Sequence, residues 1–361
     1  MKTAKPISVA VLSLVFGVAA APSAHAGLVG GSFVPLISAG SLPDSPTNRI
    51  DPNTPTSPFS GVVSINIRYA NGDSFICSGT LVSKRDVVTA GHCVDKDGQG
   101  HLIDINAPGN DVRVVFNAST VIGSPGRAII TADHVSMNPS YQGFGNCPYA
   151  TTTDFCVNDD VAVIHMNADA PADAKIYRLY NGPTGTGTLD TLVGYGRSGD
   201  GGGYTTGPDF RIKRTGQNYW DLFDGDDEQH FSSGPNEVWY SDFDGGGEDT
   251  FCTMFSICTP VLANGLETNI GGGDSGGPSF FYDGGEYFLM GNNTFGGTFQ
   301  GQTAGAFGTY FGGMVLGAYA DYLISATDGR IQTMVPEPET YALMLAGLGL
   351  VATIARRRKA K

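Results

Sequence analysis

From residue 59 onward the chain alternates short apolar runs with turn residues. Gly61-Val-Val-Ser-Ile-Asn-Ile-Arg-Tyr69 has the two-residue period of a half-buried strand. Asn71-Gly72, a dipeptide suited to a tight hairpin, follows it, and Ser74-Phe-Ile-Cys-Ser-Gly-Thr-Leu-Val82 answers. Asp86–Ala90, Val112–Phe116, Asp160–Ile164 and Tyr287–Met290 continue the theme, and only Met314–Ile324 has helical spacing. Many short strands with Gly-rich turns predict an all-β body, a sandwich or a barrel. Residues 27–58 are rich in Pro, Ser and Thr and read as a linker or pro-segment. The Gly/Asp-rich stretches 198–209 and 221–249 read as surface insertions.

The two ends have a different pattern. Lys2 and Lys5, an apolar run from Ile7 to Ala20 and Ala24-His25-Ala26 make a secretory signal helix over residues 1–26, cut after Ala26. At the other end, Val335-Pro336-Glu337-Pro338-Glu339 precedes an apolar stretch over 341–355 and then Arg356-Arg357-Arg358-Lys359. Fifteen residues give roughly 22 Å of helix, short for a bilayer but followed by the basic cluster that keeps a tail inside. These three parts in this order resemble the PEP-CTERM sorting tail of exported bacterial proteins. The resemblance implies, for residues 326–361, a membrane helix recognised and cut by an exosortase-type enzyme. The body would be membrane-anchored first and then reach the cell surface or the extracellular matrix.

Composition narrows the class. The chain has 361 residues, 52 of them Gly, with 41% apolar and 16% charged residues. That apolar share builds a core, and that glycine content excludes a coiled coil. Formal charge is −14. Seven of the 21 basic residues lie at the ends, so residues 27–335 hold 14 bases against 33 acids. Such a charge balance argues against a nucleic-acid binder, whose phosphate contacts need Lys and Arg. Asp224-Gly-Asp-Asp-Glu228 does not meet the twelve-residue EF-hand pattern, so a solvated acidic loop is the reading, with structural calcium as the alternative. No other metal-ligand spacing is present, and no cofactor is implied. Export places six cysteines in an oxidising compartment, where 15 connectivities are open.

The chemistry gathers around a serine. Gly273-Asp274-Ser275-Gly276-Gly277-Pro278 places a hydroxyl in a Gly-rich turn whose amides can face a reacting carbonyl. The string also satisfies G-x-S-x-G, but that elbow needs a histidine downstream, and all six (25, 92, 101, 134, 165, 230) precede Ser275. The order left is His, Asp, Ser. Thr89-Ala-Gly-His-Cys93 ends an apolar strand with an imidazole, and Asp159-Asp-Val-Ala-Val-Ile164 puts an acid at the mouth of a buried one.

Together these strings resemble the trypsin/chymotrypsin-like serine endopeptidases over about residues 59–325. The resemblance implies a double six-stranded β-barrel and a triad of His92, Asp160 and Ser275. It also implies an oxyanion hole from the Gly273 and Ser275 amides. Asp160 is the matching acid and Asp159 its bystander, and His101, His134, His165 and His230 are surface or satisfied residues. The disulfides implied are Cys77–Cys93, Cys252–Cys258 and, by what remains, Cys147–Cys156. Asn269 stands at the base of the specificity pocket, with Thr294, Phe295, Gly296 and Gly308 as walls, so P1 would be uncharged. Gly271 replaces the usual pocket cysteine. Arg49-Ile50 resembles the activation cut site and Asp274 the partner of the new amine, although Asp51 stands where Val is usual. The reading is an exported monomeric endopeptidase acting on proteins or peptides. Its rivals are a catalytically silent matrix protein and an esterase.

Overall fold

A computed structural model describes residues 44–117, 127–146, 156–245, 247–263, 265–299 and 301–334. The signal segment, Pro336-Glu337-Pro338, the apolar stretch 341–355 and Cys147 lie outside them. Among the described residues no helix is long and apolar enough to cross a membrane.

Six antiparallel strands close a barrel: β1 Val62–Arg68, β2 Ser74–Leu81, β3 Asp86–Thr89, β4 Asp111–Asn117, β5 Arg127–Met137 and β6 Ala162–Met166. Their order around the barrel is β1-β2-β3-β6-β5-β4. The Asn71-Gly72 hairpin forms where the sequence places it, with Arg68 opposite Ser74. The second half holds β7 Thr188–Gly194, a small hairpin of β8 Ser198–Asp200 and β9 Gly203–Thr206, then β10 Arg214–Trp220, β11 Leu222–Gly225 and β12 Asn236–Asp242. Helix α1 Thr250–Phe255 precedes β13 Pro278–Asp283, β14 Glu286–Gly297 and β15 Tyr310–Val315, and α2 Ala320–Ala326 follows.

This second sheet runs β10-β7-β13-β14-β15-β12-β11, seven strands where six were expected, because β11 folds back on β12. Side chains stitch its rim between β10 and β12. Asn218 Nδ2 donates to the Asp242 and Thr268 carbonyls, both at 2.8 Å, and Ser241 Oγ donates to Tyr219 O at 2.6 Å. The architecture is the mostly-β, two-barrel type that the resemblance implies.

Strands at the junction are apolar on both faces, which is why their sequences run continuously instead of alternating. Val63, Val87, Ala162 and Ile164 fill the first barrel. Their neighbours Val62, Val88, Val161 and Val163 face the other way, against Val193, Phe280 and Leu289. The second sheet has its own core around Trp220 and Trp239, stacked with ring centroids 5.0 Å apart.

Two sequence expectations need correcting. Residues 221–249 are not a surface insertion, since Trp239 and Phe243 are fully buried there and Asp221, Asp227, Asp242 and Asp244 are buried with them. Acidic side chains flank buried aromatics in these strands, and charge density hid the strand pattern. The helix expected from Met314 begins only at Ala320, because β15 pairs with β12 as far as Met314 and with β14 as far as Val315. The described part of the expected linker, 44–58, is tied down. The Asp51 carboxylate meets the buried Lys213 ammonium at 2.8 Å and accepts from Ser57 Oγ at 2.6 Å. At the far end, Leu179 exchanges backbone bonds with Gln332 and Met334, extending the folded body past residue 325.

Candidate active site

The short strand β3 ends at Thr89, and Gly91–Cys93 forms a single 3-10 turn that swings His92 toward the junction. Asp160, fully buried, precedes β6 and holds that histidine at two points. Its Oδ1 accepts from the His92 backbone N–H at 2.6 Å, and its Oδ2 lies 2.8 Å from His92 Nδ1. A carboxylate only accepts, so Nδ1 carries the hydrogen and Nε2 is left with its lone pair. Phe144 packs on the imidazole with centroids 4.9 Å apart. Tyr141 lines the same wall, its hydroxyl kept neutral by burial and then by the Asp160 and Asp95 charges.

The Ser275 turn is pinned to the first barrel by Ser78 of β2. Ser78 N–H donates to Ser275 O at 2.7 Å, and Ser78 Oγ donates to Gly273 O at 2.9 Å while accepting from Tyr195 N at 3.0 Å. Cys77, next along the strand, is bonded to Cys93, the neighbour of His92. One dipeptide of β2 therefore anchors both the imidazole turn and the serine turn, and Cys93 Sγ lies 3.7 Å from Ser275 O. Gly276 sits between them at φ +76, where a Cβ would meet Thr89 Oγ1 at 2.1 Å, so only glycine fits. Ser275 Oγ makes no hydrogen bond among the described residues; catalytic hydrogen bonds often tighten only once substrate is bound.

The amides of the turn divide into used and unused. Asp274 N donates to Gly271 O, Gly276 N to Asn293 O and Gly277 N to Asp274 O. The Gly273 and Ser275 N–H groups have no acceptor among the described residues. The buried Asp274 carboxylate accepts from Gly196 N at 2.7 Å and Gly271 N at 2.9 Å. Burial lifts its pKa to about 7 against those two bonds and the Arg214 charge. Arg49, 4% exposed, donates to Asp44 Oδ2 at 2.8 Å and to the Leu266 and Glu267 carbonyls, and Ile50 pairs with Arg214.

Asn269 is buried, with Nδ2 at 3.3 Å from Thr309 Oγ1 and Oδ1 without a partner among the described residues. Gly308, before that threonine, borders a concavity with Thr250, Met254, Gln302 and Phe307. Gly296 is exposed, whereas Thr294 and Phe295 are buried, and Phe295 packs edge-on against Tyr240 at 5.3 Å. Cys252–Cys258 is formed across the end of α1. The third expected pair cannot be placed, as Cys147 is outside the described residues. Cys77, His92 and Cys93 cluster closely, but with the sulfurs bonded to each other they offer no metal site. His165 and His101 are satisfied by Asp86 and Asp97, each at 2.8 Å.

Several residues around the site were not singled out from sequence. Asn292 of β14 is fully buried; its Nδ2 donates to Asp160 O at 3.0 Å and its Oδ1 accepts from Met314 N at 3.1 Å. Asp190 ties β7 to Trp220 and Ser279, and burial raises its pKa to about 7. A polar residue inside an apolar run, as in Phe288-Leu-Met-Gly-Asn292, is the one signal that marks such a position.

Residues 50–215 match the Trypsin family model, which covers His92 and Asp160, and residues 335–359 match the PEP-CTERM protein-sorting motif. No curated protein matches the chain. The first match implies serine-peptidase chemistry, and the second implies export and sorting to the bacterial cell envelope. Residues 50–215 thus form a trypsin-like region of serine-protease type, and the chain carries a PEP-CTERM sorting motif over residues 335–359.

Proposed function

We propose that the chain is an exported serine endopeptidase acting through an acyl-enzyme, with Ser275 as nucleophile, His92 as base and acid, and Asp160 as the group that orients His92. The observation that carries this is the pair of hydrogen bonds that His92 donates to Asp160, set beside a serine turn whose Gly273 and Ser275 amides have no acceptor among the described residues. Ser275 Oγ attacks the scissile carbonyl and passes its proton to His92 Nε2. The oxyanion that forms is met by the Gly273 and Ser275 N–H groups. His92 returns the proton to the leaving amine, and water repeats the sequence to free the acid. Asn269 at the pocket base supports neutral P1 side chains, because an amide offers hydrogen bonds and no full charge. The sorting tail supports release at the cell surface after an exosortase-type cut, with the body acting as a monomer on proteins or peptides.

Labelling with a fluorophosphonate probe, paired with casein digestion, tests the reading. Both are expected from the exported chain and both vanish in Ser275→Ala. Folded protein that takes no label, or label that survives Ser275→Ala, overturns it. Hydrolysis of small esters with casein left intact overturns the endopeptidase assignment.

A further inference from the structure

The turn that delivers Asp160 carries a second acid on its other side. Asp159 adopts φ +65, a left-handed conformation uncommon outside glycine, and its amide donates to Tyr319 OH at 3.0 Å. Its carboxylate meets those of Asp227, Glu228 and Glu237, from the β11–β12 hairpin, with one oxygen of each within 4.8 Å of the others. Three of the four are buried, Asp159 at 4%, Asp227 at 1% and Glu237 at 6% exposure, while Glu228 opens to solvent. The neighbouring amides satisfy them only in part. Asn138 Nδ2 donates to Asp159 Oδ1 at 3.1 Å and Asn158 Nδ2 to Glu237 Oε2 at 2.8 Å, but buried Asp227 Oδ1 has no hydrogen-bond partner among the described residues.

Four carboxyl groups this close cannot all ionise out of water unless a positive charge joins them. The charges acting most on Asp159 are Glu228, Asp227 and Glu237, all of its own sign, and with burial they push its pKa up to about 8. An oxygen-only donor set, with no imidazole or thiolate, suits a hard cation and not zinc. Carboxylates from two separate segments, with one side open to water, suit the flexible shell of six to eight oxygens that calcium takes better than the strict octahedron of magnesium. The acidic patch around Asp242, Asp244 and Asp249 differs, because backbone amides of Thr250, Phe251, Cys252 and Thr259 already occupy it.

We propose that Asp159, Asp227, Glu228 and Glu237 form a calcium-binding site that fastens the β11–β12 hairpin to the turn carrying Asp160. The segment read from sequence as a solvated acidic loop thus becomes a clamp behind the His92–Asp160 pair. Its link to catalysis rests on the proposed function; the binding itself does not.

The test uses the full chain bearing Ser275→Ala, stripped with EGTA, so that binding is read apart from activity. Calcium titration by calorimetry is paired with thermal unfolding in EGTA, Ca2+ and Mg2+ at pH 7.5. At a hundredfold excess over the dissociation constant, calcium is expected to raise Tm by about 5 °C. Asp227→Asn and Glu237→Gln lose most of that rise yet melt no lower than the parent in EGTA, since each removes a repelling charge. Glu228→Gln, at the exposed mouth, weakens calcium affinity by roughly tenfold or more without touching the interior. No calcium response in the parent, or an equal response in all three variants, overturns the site. An equal response to Mg2+ at the same concentration overturns the calcium assignment.

Discussion

Asp160 grips His92 at two atoms, the backbone N–H at 2.6 Å and Nδ1 at 2.8 Å, so the carboxylate fixes both the position of the turn and the tautomer of the ring. Asp160→Asn keeps the size of the side chain but presents an amide N–H to one of those atoms. The ring then turns or takes the other tautomer, and Nε2 no longer accepts a proton. The expected loss in kcat is roughly ten-thousand-fold with KM little changed, measured on a peptide ester. A loss under tenfold removes Asp160 from the mechanism.

Ser78 carries three bonds between the halves of the molecule, to Ser275 O, Gly273 O and Tyr195 N. Ser78→Ala keeps the first and leaves Gly273 O and Tyr195 N without their side-chain partner in a buried place. Stability should fall by about 1–3 kcal/mol. Fluorophosphonate labelling should slow as well, because the turn bearing the Gly273 amide loses its anchor. Unchanged labelling with lowered stability would reduce Ser78 to a packing role.

The proposed preference for uncharged P1 side chains turns on Asn269, whose buried Oδ1 has no partner among the described residues. An acceptor at the pocket base favours P1 side chains that donate, such as Gln, and gives an ammonium or guanidinium too little charge to offset its dehydration. In a peptide library, cleavage after Gln, Leu or Phe is expected to equal or exceed cleavage after Arg or Lys. A tenfold or greater preference for Arg or Lys would place an acid in contact with P1 instead.

On one side of the Arg49–Ile50 bond, the Asp44 carboxylate accepts from the buried Arg49 guanidinium. If that bond is the activation cut, a protease reaches it only after the clasp opens. Asp44→Ala should therefore speed cleavage there by several-fold, followed by N-terminal sequencing for an Ile50 amine. The same rate in both chains would mean that the clasp does not control access.

Legibility in the sequence tracked whether one physical demand dominated a position. Barrel strands such as Val62–Arg68 and Ala162–Met166 were legible because burial alone selects their apolar residues. His92, Asp160 and Ser275 could be picked out because short motifs surround them, and β3, β2 and the Gly276 turn bring their backbones to one junction. β10, β11 and β12 were not legible, since Asn218, Asp221 and Asp242 in and between them serve as buried donors and acceptors where a strand pattern predicts apolar or exposed residues. Asn292 and Ser78 were hidden for a related reason. Their partners are backbone atoms distant in sequence, and no local spacing records that.

The buried acids make a prediction about pH that runs against the usual acid sensitivity of proteins. Burial, then the Asp242 charge, raises Asp221 and Asp244 to about 8, and burial with Asp244 raises Glu267 to about 9. Burial raises Asp190 and Asp274 to about 7. In the unfolded chain these groups titrate near their ordinary values, about 4. Between there and the raised values the native state holds more protons than the unfolded one, so stability falls as pH rises through that window. Asp86 works in the opposite sense. Burial would raise it, but Arg330, His165 and Ser83 hold it below the ordinary range, so its contribution is lost only as pH drops under about 4. Thermal unfolding in EGTA should give a higher Tm at pH 5 than at pH 8. A Tm that climbs from pH 5 to pH 8 would mean that these carboxyls are ionised and compensated in the folded chain, contrary to their burial.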